Sequence, residues 1–76
     1  MRKTVVFKAK DYKNNPEHTI KAIVHSANMG RLEEGTLERI KGQDTPSTDV
    51  WHAVIGTATC EIVMNKQRNE AVISTI

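Results

Sequence analysis

The stretch VWHAVIGTATCEIVM, residues 50–64, decides the fold that we predict. As a single straight strand it would carry apolar side chains on both faces. If the chain instead reverses at Gly56 and Thr57, the two halves pair as antiparallel strands. These residues suit a two-residue type II′ turn, because glycine accepts positive φ at the first central position. We therefore predict a β-hairpin, with a bulge at Gly56 in one long strand as the alternative.

The hairpin register sorts the stretch onto two faces, because directly opposed residues in an antiparallel pair share a face. His52 then lies directly across from Glu61. One face is wholly apolar and comprises Trp51, Ala53, Ile55, Ala58, Cys60, Ile62 and Met64. The other has the mixed composition of a surface that meets water or a partner, and it comprises Val50, His52, Val54, Thr59, Glu61 and Val63.

The composition limits the class of protein. A chain of 76 residues forms one domain, here residues 1–76, with a small core. The single cysteine, Cys60, excludes an internal disulfide framework and favours a reducing compartment, so we expect the cytoplasm. No stretch approaches the ~20 apolar residues that cross a bilayer, so we expect no membrane partner. The net charge of +2 neither demands nor excludes a polyanionic partner.

The chain before the hairpin predicts a strand and then a helix. Residues 3–11 alternate apolar and polar side chains, as a half-buried strand does. Asn15 suits a helix N-cap and Pro16 the first helical position. Gly30 is expected to end the helix in a left-handed conformation. The apolar stripe recurs at helical spacing and consists of Ile20, Ile23, Val24 and Ala27. A strand over the same residues is the alternative.

The segments around the hairpin are less well determined. Residues 31–42 favour a short edge strand over a helical turn, residues 43–49 predict a loop, and residues 65–69 predict a polar connection. Residues 70–76 predict a last strand whose register is left open. A four-residue loop before it would bury Ala71, Ile73 and Thr75, whereas a five-residue loop would bury Val72, Ser74 and Ile76.

These elements predict an α+β fold in which one amphipathic helix packs on one face of a mainly antiparallel four- to five-stranded sheet, in the order β-α-β-β-β-β. The helix stripe is expected to pack against Phe7, Trp51, Ile55 and Ile62. A single helix covers one face of the sheet, so the other face is left for solvent or a partner.

The residues that could perform chemistry do not form a recognisable site. His18 and His25 share a helix face but lie about 10 Å apart along the axis, too far to bind one metal ion. Cys60 and His52 point to opposite faces of the hairpin. His52 and Glu61 could exchange protons, but no nucleophile accompanies them. The four glycines form no phosphate-binding loop. We therefore expect no catalytic residue, no metal and no cofactor.

The function that we predict is a small non-enzymatic protein-binding module, for example a regulator or inhibitor that occupies a surface of a larger protein. The partner is another protein, or a second copy of the chain in a homodimer. The predicted binding residues lie on the uncovered face of the sheet and are Val6, Val50, His52, Val54, Glu61 and Val63.

The alternative is a domain that binds single-stranded nucleic acid through a basic strand face with one stacking aromatic residue. Sheets that read single strands usually offer two or three stacking aromatics, and here a carboxylate, Glu61, lies among the basic residues. The residues of this alternative are Arg2, Lys8, Lys10, Tyr12, Lys66 and Arg68.

Overall fold

The chain forms one α-helix and five strands in the computed structural model, which describes residues 4–8, 12–28 and 30–76, and only the backbone of residues 4–7. The order confirms the predicted α+β succession β-α-β-β-β-β. In chain order the elements are β1 (Thr4–Lys8), α1 (Pro16–Ala27), β2 (Glu38–Arg39), a 3-10 helix (Lys41–Gln43), β3 (Thr48–Ile55), β4 (Ala58–Asn65) and β5 (Glu70–Thr75).

The central hairpin has the predicted register. Strands β3 and β4 are antiparallel, with Ile55 opposite Ala58, and Trp51 opposite Ile62. Gly56 has φ of 66°, the left-handed conformation that the turn requires at its first central position. The chain therefore reverses at Gly56, and the alternative of one long bulged strand is wrong.

The five strands form one antiparallel sheet in the order β1-β5-β4-β3-β2. A four-residue loop joins β4 to β5, because Asn65 pairs with Glu70. The side-chain oxygen of Asn65 accepts hydrogen bonds from the backbone N–H groups of Gln67 and Arg68, both 3.1 Å long. This loop length buries Ala71 and Ile73, which resolves the register of the last strand.

Helix α1 begins at Pro16 as predicted, with Asn15 at the N-cap position but without a side-chain hydrogen bond to the helix. The prediction that Gly30 ends the helix in the left-handed conformation is wrong, because Asn28 does so with φ of 53°. Asparagine tolerates this conformation through local hydrogen bonding of its short side chain. No helix in the described part of the chain is long and apolar enough to cross a membrane.

The helix packs on one side of the sheet and encloses the core. The predicted stripe is confirmed, since its three largest residues are buried and Ala27 packs against the core. The predicted contact with Phe7 lies outside the described side chains. The core residues are Tyr12, Ile20, Ile23, Val24, Trp51, Ala53, Ile55, Cys60, Ile62, Met64, Ala71 and Ile73.

Residues 31–40 run along the outer edge of β3, where only Glu38–Arg39 forms the expected edge strand. The N–H of Gly56 donates to the carbonyl of Arg31 (2.7 Å), and the N–H of Glu33 donates to the carbonyl of Val54 (2.9 Å). The loop predicted over residues 43–49 is shorter than expected, because its first residue ends the 3-10 helix and its last two begin β3. This edge of β3 is therefore covered.

Gly30 has a packing role instead of a capping role. A Cβ atom at Gly30 would lie 2.9 Å from the Cα of Gly56, closer than real Cβ contacts, and Gly30 has φ of 122°. Two glycines thus allow the backbone after α1 to touch the turn of the central hairpin. This contact positions residues 31–40 against β3.

Candidate protein-binding surface

The side of the sheet opposite α1 carries a mixed apolar and polar surface, which we call the open face. Its members follow from the pairing registers, because paired residues share a face. Ile76 follows β5, and its N–H donates to the carbonyl of Thr59 (2.9 Å), so it continues the same alternation. The open face includes Val50, His52, Val54, Thr59, Glu61, Val63, Val72, Ser74 and Ile76, and by the same registers it extends to Glu38, Glu70 and Lys8.

A row of valines crosses the open face from strand to strand. Val63 lies between Val50 on β3 and Val72 on β5, and the backbone of Val6 on β1 is in register with Val72. Val63 and Val72 are half-buried. They therefore present apolar surface on the side of the sheet opposite α1.

Val50 departs from the prediction that it is available to a partner, because it is only 7% exposed. The N–H of Ile40 donates to its carbonyl (2.8 Å), and its own N–H donates to Oδ1 of Asp44 (2.9 Å). These bonds hold the segment that contains the 3-10 helix against the start of β3. Strand parity predicts that Val50 is exposed, because parity does not take into account a loop that folds over one end of the strand.

A polar row lies beside the valines. His52 is paired with Glu61 as predicted, with 3.3 Å between His52 Nε2 and Glu61 Oε1. Both side chains are about one-third exposed, at 30% and 32%. Glu38 on β2 is opposite His52, and Ser74 on β5 is opposite Glu61, so the row extends across four strands.

A third row, on the far side of the polar row, contains Val54 and Thr59, which are paired, and Ile76. Ile76 is 65% exposed. The predicted surface does not include Val72 and Ile76, because the sequence does not determine the register of the last strand. Asn65 was the available signal, since an asparagine that binds the backbone two and three residues ahead is typical of a tight loop.

A buried polar network occupies the opposite, helix-covered side. The hydroxyl of Tyr12 donates to Asp49 Oδ2 (2.6 Å) and accepts from Nε1 of Trp51 (2.9 Å). Arg39 Nη2 donates to Asp49 Oδ1 (2.9 Å), and Lys66 Nζ lies 3.1 Å from the same oxygen. No buried side-chain nitrogen or oxygen in the described residues lacks a partner. The network therefore has a structural role.

The network shifts the pKa values of Tyr12 and Asp49. Burial and the hydrogen bond to Asp49 raise the pKa of Tyr12 to about 12, against the smaller opposing effect of the Trp51 N–H. Burial alone would raise the pKa of Asp49, but the hydrogen bonds from Tyr12 and Lys66 and the charge of Arg39 outweigh it and lower the pKa. At neutral pH Asp49 is thus ionised and Tyr12 is neutral.

The predicted nucleic-acid surface is not assembled by the described residues. Tyr12 is 3% exposed and cannot stack on a base. Lys66 contacts Asp49 on the helix-covered side, and Lys8 forms an ion pair with Glu70 (3.0 Å). Arg68 is exposed in the loop between β4 and β5. The two remaining members, Arg2 and Lys10, lie outside the described part of the chain.

The other candidate residues lie apart from one another. His18 and His25 are exposed on α1. Cys60 is fully buried on the helix-covered side, where burial raises the pKa of its thiol. His52 is on the open face, so the prediction that these two residues point to opposite faces is confirmed. Among residues 4–8, 12–28 and 30–76, no three His, Cys, Asp or Glu side chains are arranged to hold a metal ion.

In comparisons with models of protein families, with curated proteins and with solved structures, the chain has no match.

Proposed function

We propose that the protein is a non-enzymatic binding module that docks on another protein through its open face. The observation that carries this proposal is the set of half-buried valines, Val54, Val63 and Val72, on the side of the sheet that α1 leaves uncovered. Burial of apolar surface stabilises an interface by roughly 25 cal/mol per Å² before the costs of association. A partner would gain this contribution at the open face.

The chemistry of the face also supports docking. Its apolar rows flank a hydrogen-bonded pair of polar side chains, His52 and Glu61, and interfaces combine apolar contact with polar groups that fix orientation. One small domain that occupies a surface of a larger protein in this way would act as a regulator or inhibitor of it.

Photo-crosslinking tests this proposal. A benzoylphenylalanine placed at Val63 is expected to trap one discrete partner in cells that express the protein. The same probe at Ser26, exposed on α1, is the matched control and is expected to trap none. Mass spectrometry of the adduct identifies the partner.

A second variant distinguishes docking from chance proximity. Val72→Glu places a charge in the valine row, next to position 63, and is expected to abolish the adduct while the domain remains folded by circular dichroism. Equal adducts from positions 63 and 26, or none from position 63, would contradict the proposal.

A further inference from the structure

We infer that the occupant of the open face is an amphipathic helix of another protein that carries one arginine or lysine in the middle of its apolar stripe. This inference rests on the proposed function and adds the chemistry of the partner. Three features support it: the charge of the polar row, the spacing of the rows, and the way in which the chain covers the other side of its own sheet.

The polar row is negative although the whole chain is positive. It contains two carboxylates, Glu38 and Glu61, and one imidazole, His52, so its net charge is negative in either protonation state of the histidine. The Lys8–Glu70 pair at the far end of the face is neutral. The chain as a whole has a formal net charge of +2. An apolar partner without a cation would bury a carboxylate at a cost in desolvation, whereas a cation in the partner offsets that cost.

The spacing of the rows matches a helix. Adjacent rows are two residues apart along each strand, which is about 7 Å, so the two apolar rows lie about 14 Å apart with the acidic row between them. Residues i, i+4 and i+8 of a helix span about 12 Å on one side. A helix that runs along β4 with an apolar residue, a cation and an apolar residue at that spacing would therefore meet Val63, Glu61 and Thr59 in turn, with Val54 beside Thr59 on β3.

The opposite side of the same sheet shows that a single helix suffices as a cover. There α1 packs the stripe of Ile20, Ile23 and Val24 on the sheet. A second copy of the chain is a poorer occupant where the two polar rows would meet. A two-fold contact centred on that row would set the acidic row of one copy against that of the other, and like charges in an interface are unfavourable.

Designed peptides test the inference. The probe is a helix of about 18 residues with leucines one turn before and one turn after a central arginine. Its two controls carry glutamate or methionine in place of that arginine. Binding to the 15N-labelled protein is followed by NMR. We expect the arginine peptide to shift the amides of Glu61, Val63 and Val72, and to bind about tenfold more tightly than the glutamate peptide at low salt.

Charge variants of the protein complete the test. Glu61→Arg is expected to reverse the preference between the arginine and glutamate peptides. Glu61→Gln is the milder substitution, for use if Glu61→Arg impairs folding, and it is expected to reduce the preference. Glu34→Arg, at an exposed position in the segment after α1, is the matched control and is expected to leave the preference unchanged.

The outcomes separate this inference from the proposed function. If the methionine peptide binds the open face as tightly as the arginine peptide, the requirement for a cation is overturned while an apolar docking surface stands. If no peptide shifts open-face amides, the helical occupant is overturned, and the adduct at position 63 still decides whether the face binds a protein.

Discussion

The hydroxyl of Tyr12 donates a 2.6 Å hydrogen bond to the buried carboxylate of Asp49, 37 residues away along the chain. This bond ties the connection between β1 and α1 to the start of β3. It also gives the tyrosine a spectroscopic signature, because the chain contains only one tyrosine.

We predict that Tyr12 ionises only near pH 12 in the folded protein. Burial and the bond to Asp49 favour the neutral phenol, and this stabilisation is present below the unfolded pKa of 10.0 and is lost as pH rises towards about 12. Absorbance at the tyrosinate band, followed against pH, measures the ionisation. In concentrated urea the midpoint should return to about 10, and equal midpoints in the two conditions would contradict the buried position of Tyr12.

Asp49→Asn should lower the free energy of unfolding at pH 7 by about 1–3 kcal/mol, because Arg39 and Lys66 lose the negative charge that they share. The pKa of Asp49 is below its ordinary value of 3.8, so ionised Asp49 stabilises the fold above about pH 4 and loses this effect as pH falls through the folded-state pKa. The difference between the wild type and the variant should therefore shrink towards pH 3. Urea unfolding at several pH values measures it, with Glu34→Gln as the exposed control.

Gly30→Ala should destabilise the fold by about 1–3 kcal/mol, because the new Cβ would lie 2.9 Å from Gly56 Cα at a φ that alanine rarely adopts. Gly42→Ala is the control, since a Cβ atom there has nothing within 4 Å. Thermal unfolding compares the two variants. Similar melting temperatures would show that the contact between the two glycines is absent.

Ile73 in the last strand and Ile76 just after it provide a matched pair, since the two residues are 0% and 65% exposed. Ile73→Ala should cost about 2–5 kcal/mol of stability, because it removes buried methyl groups and leaves a cavity. Ile76→Ala should cost less than about 0.5 kcal/mol. Urea unfolding measures both, and a large loss from Ile76→Ala would mean that Ile76 packs inside the domain.

The hairpin could be predicted from the sequence because one local feature determined many positions. Once the chain reverses at Gly56, parity assigns every side chain from Trp51 to Met64 to a face. The start of α1 could also be predicted from a local feature, since proline suits the first helical position and Pro16 occupies it. Patterns of this kind depend on a few adjacent residues.

The predictions that were wrong concern contacts between residues that are distant in the sequence. Strand parity predicts an exposed face for Tyr12, but its partners, Asp49 and Trp51, lie almost 40 residues further along the chain. The sequence predicts a helix end at Gly30, although the conformation of Gly30 serves a contact with Gly56. Neither contact produces a periodic pattern in the sequence, so neither could be predicted from the sequence alone.

The carboxylate of Asp49 connects four separate parts of the chain. It contacts Tyr12, Arg39 and Lys66, and Asp49 itself lies on β3. If one of these parts detached, a charged group or a hydroxyl in another part would lose its partner. Gradual fraying from one end is therefore costly, and calorimetry should record a single sharp transition in which helix and sheet melt together.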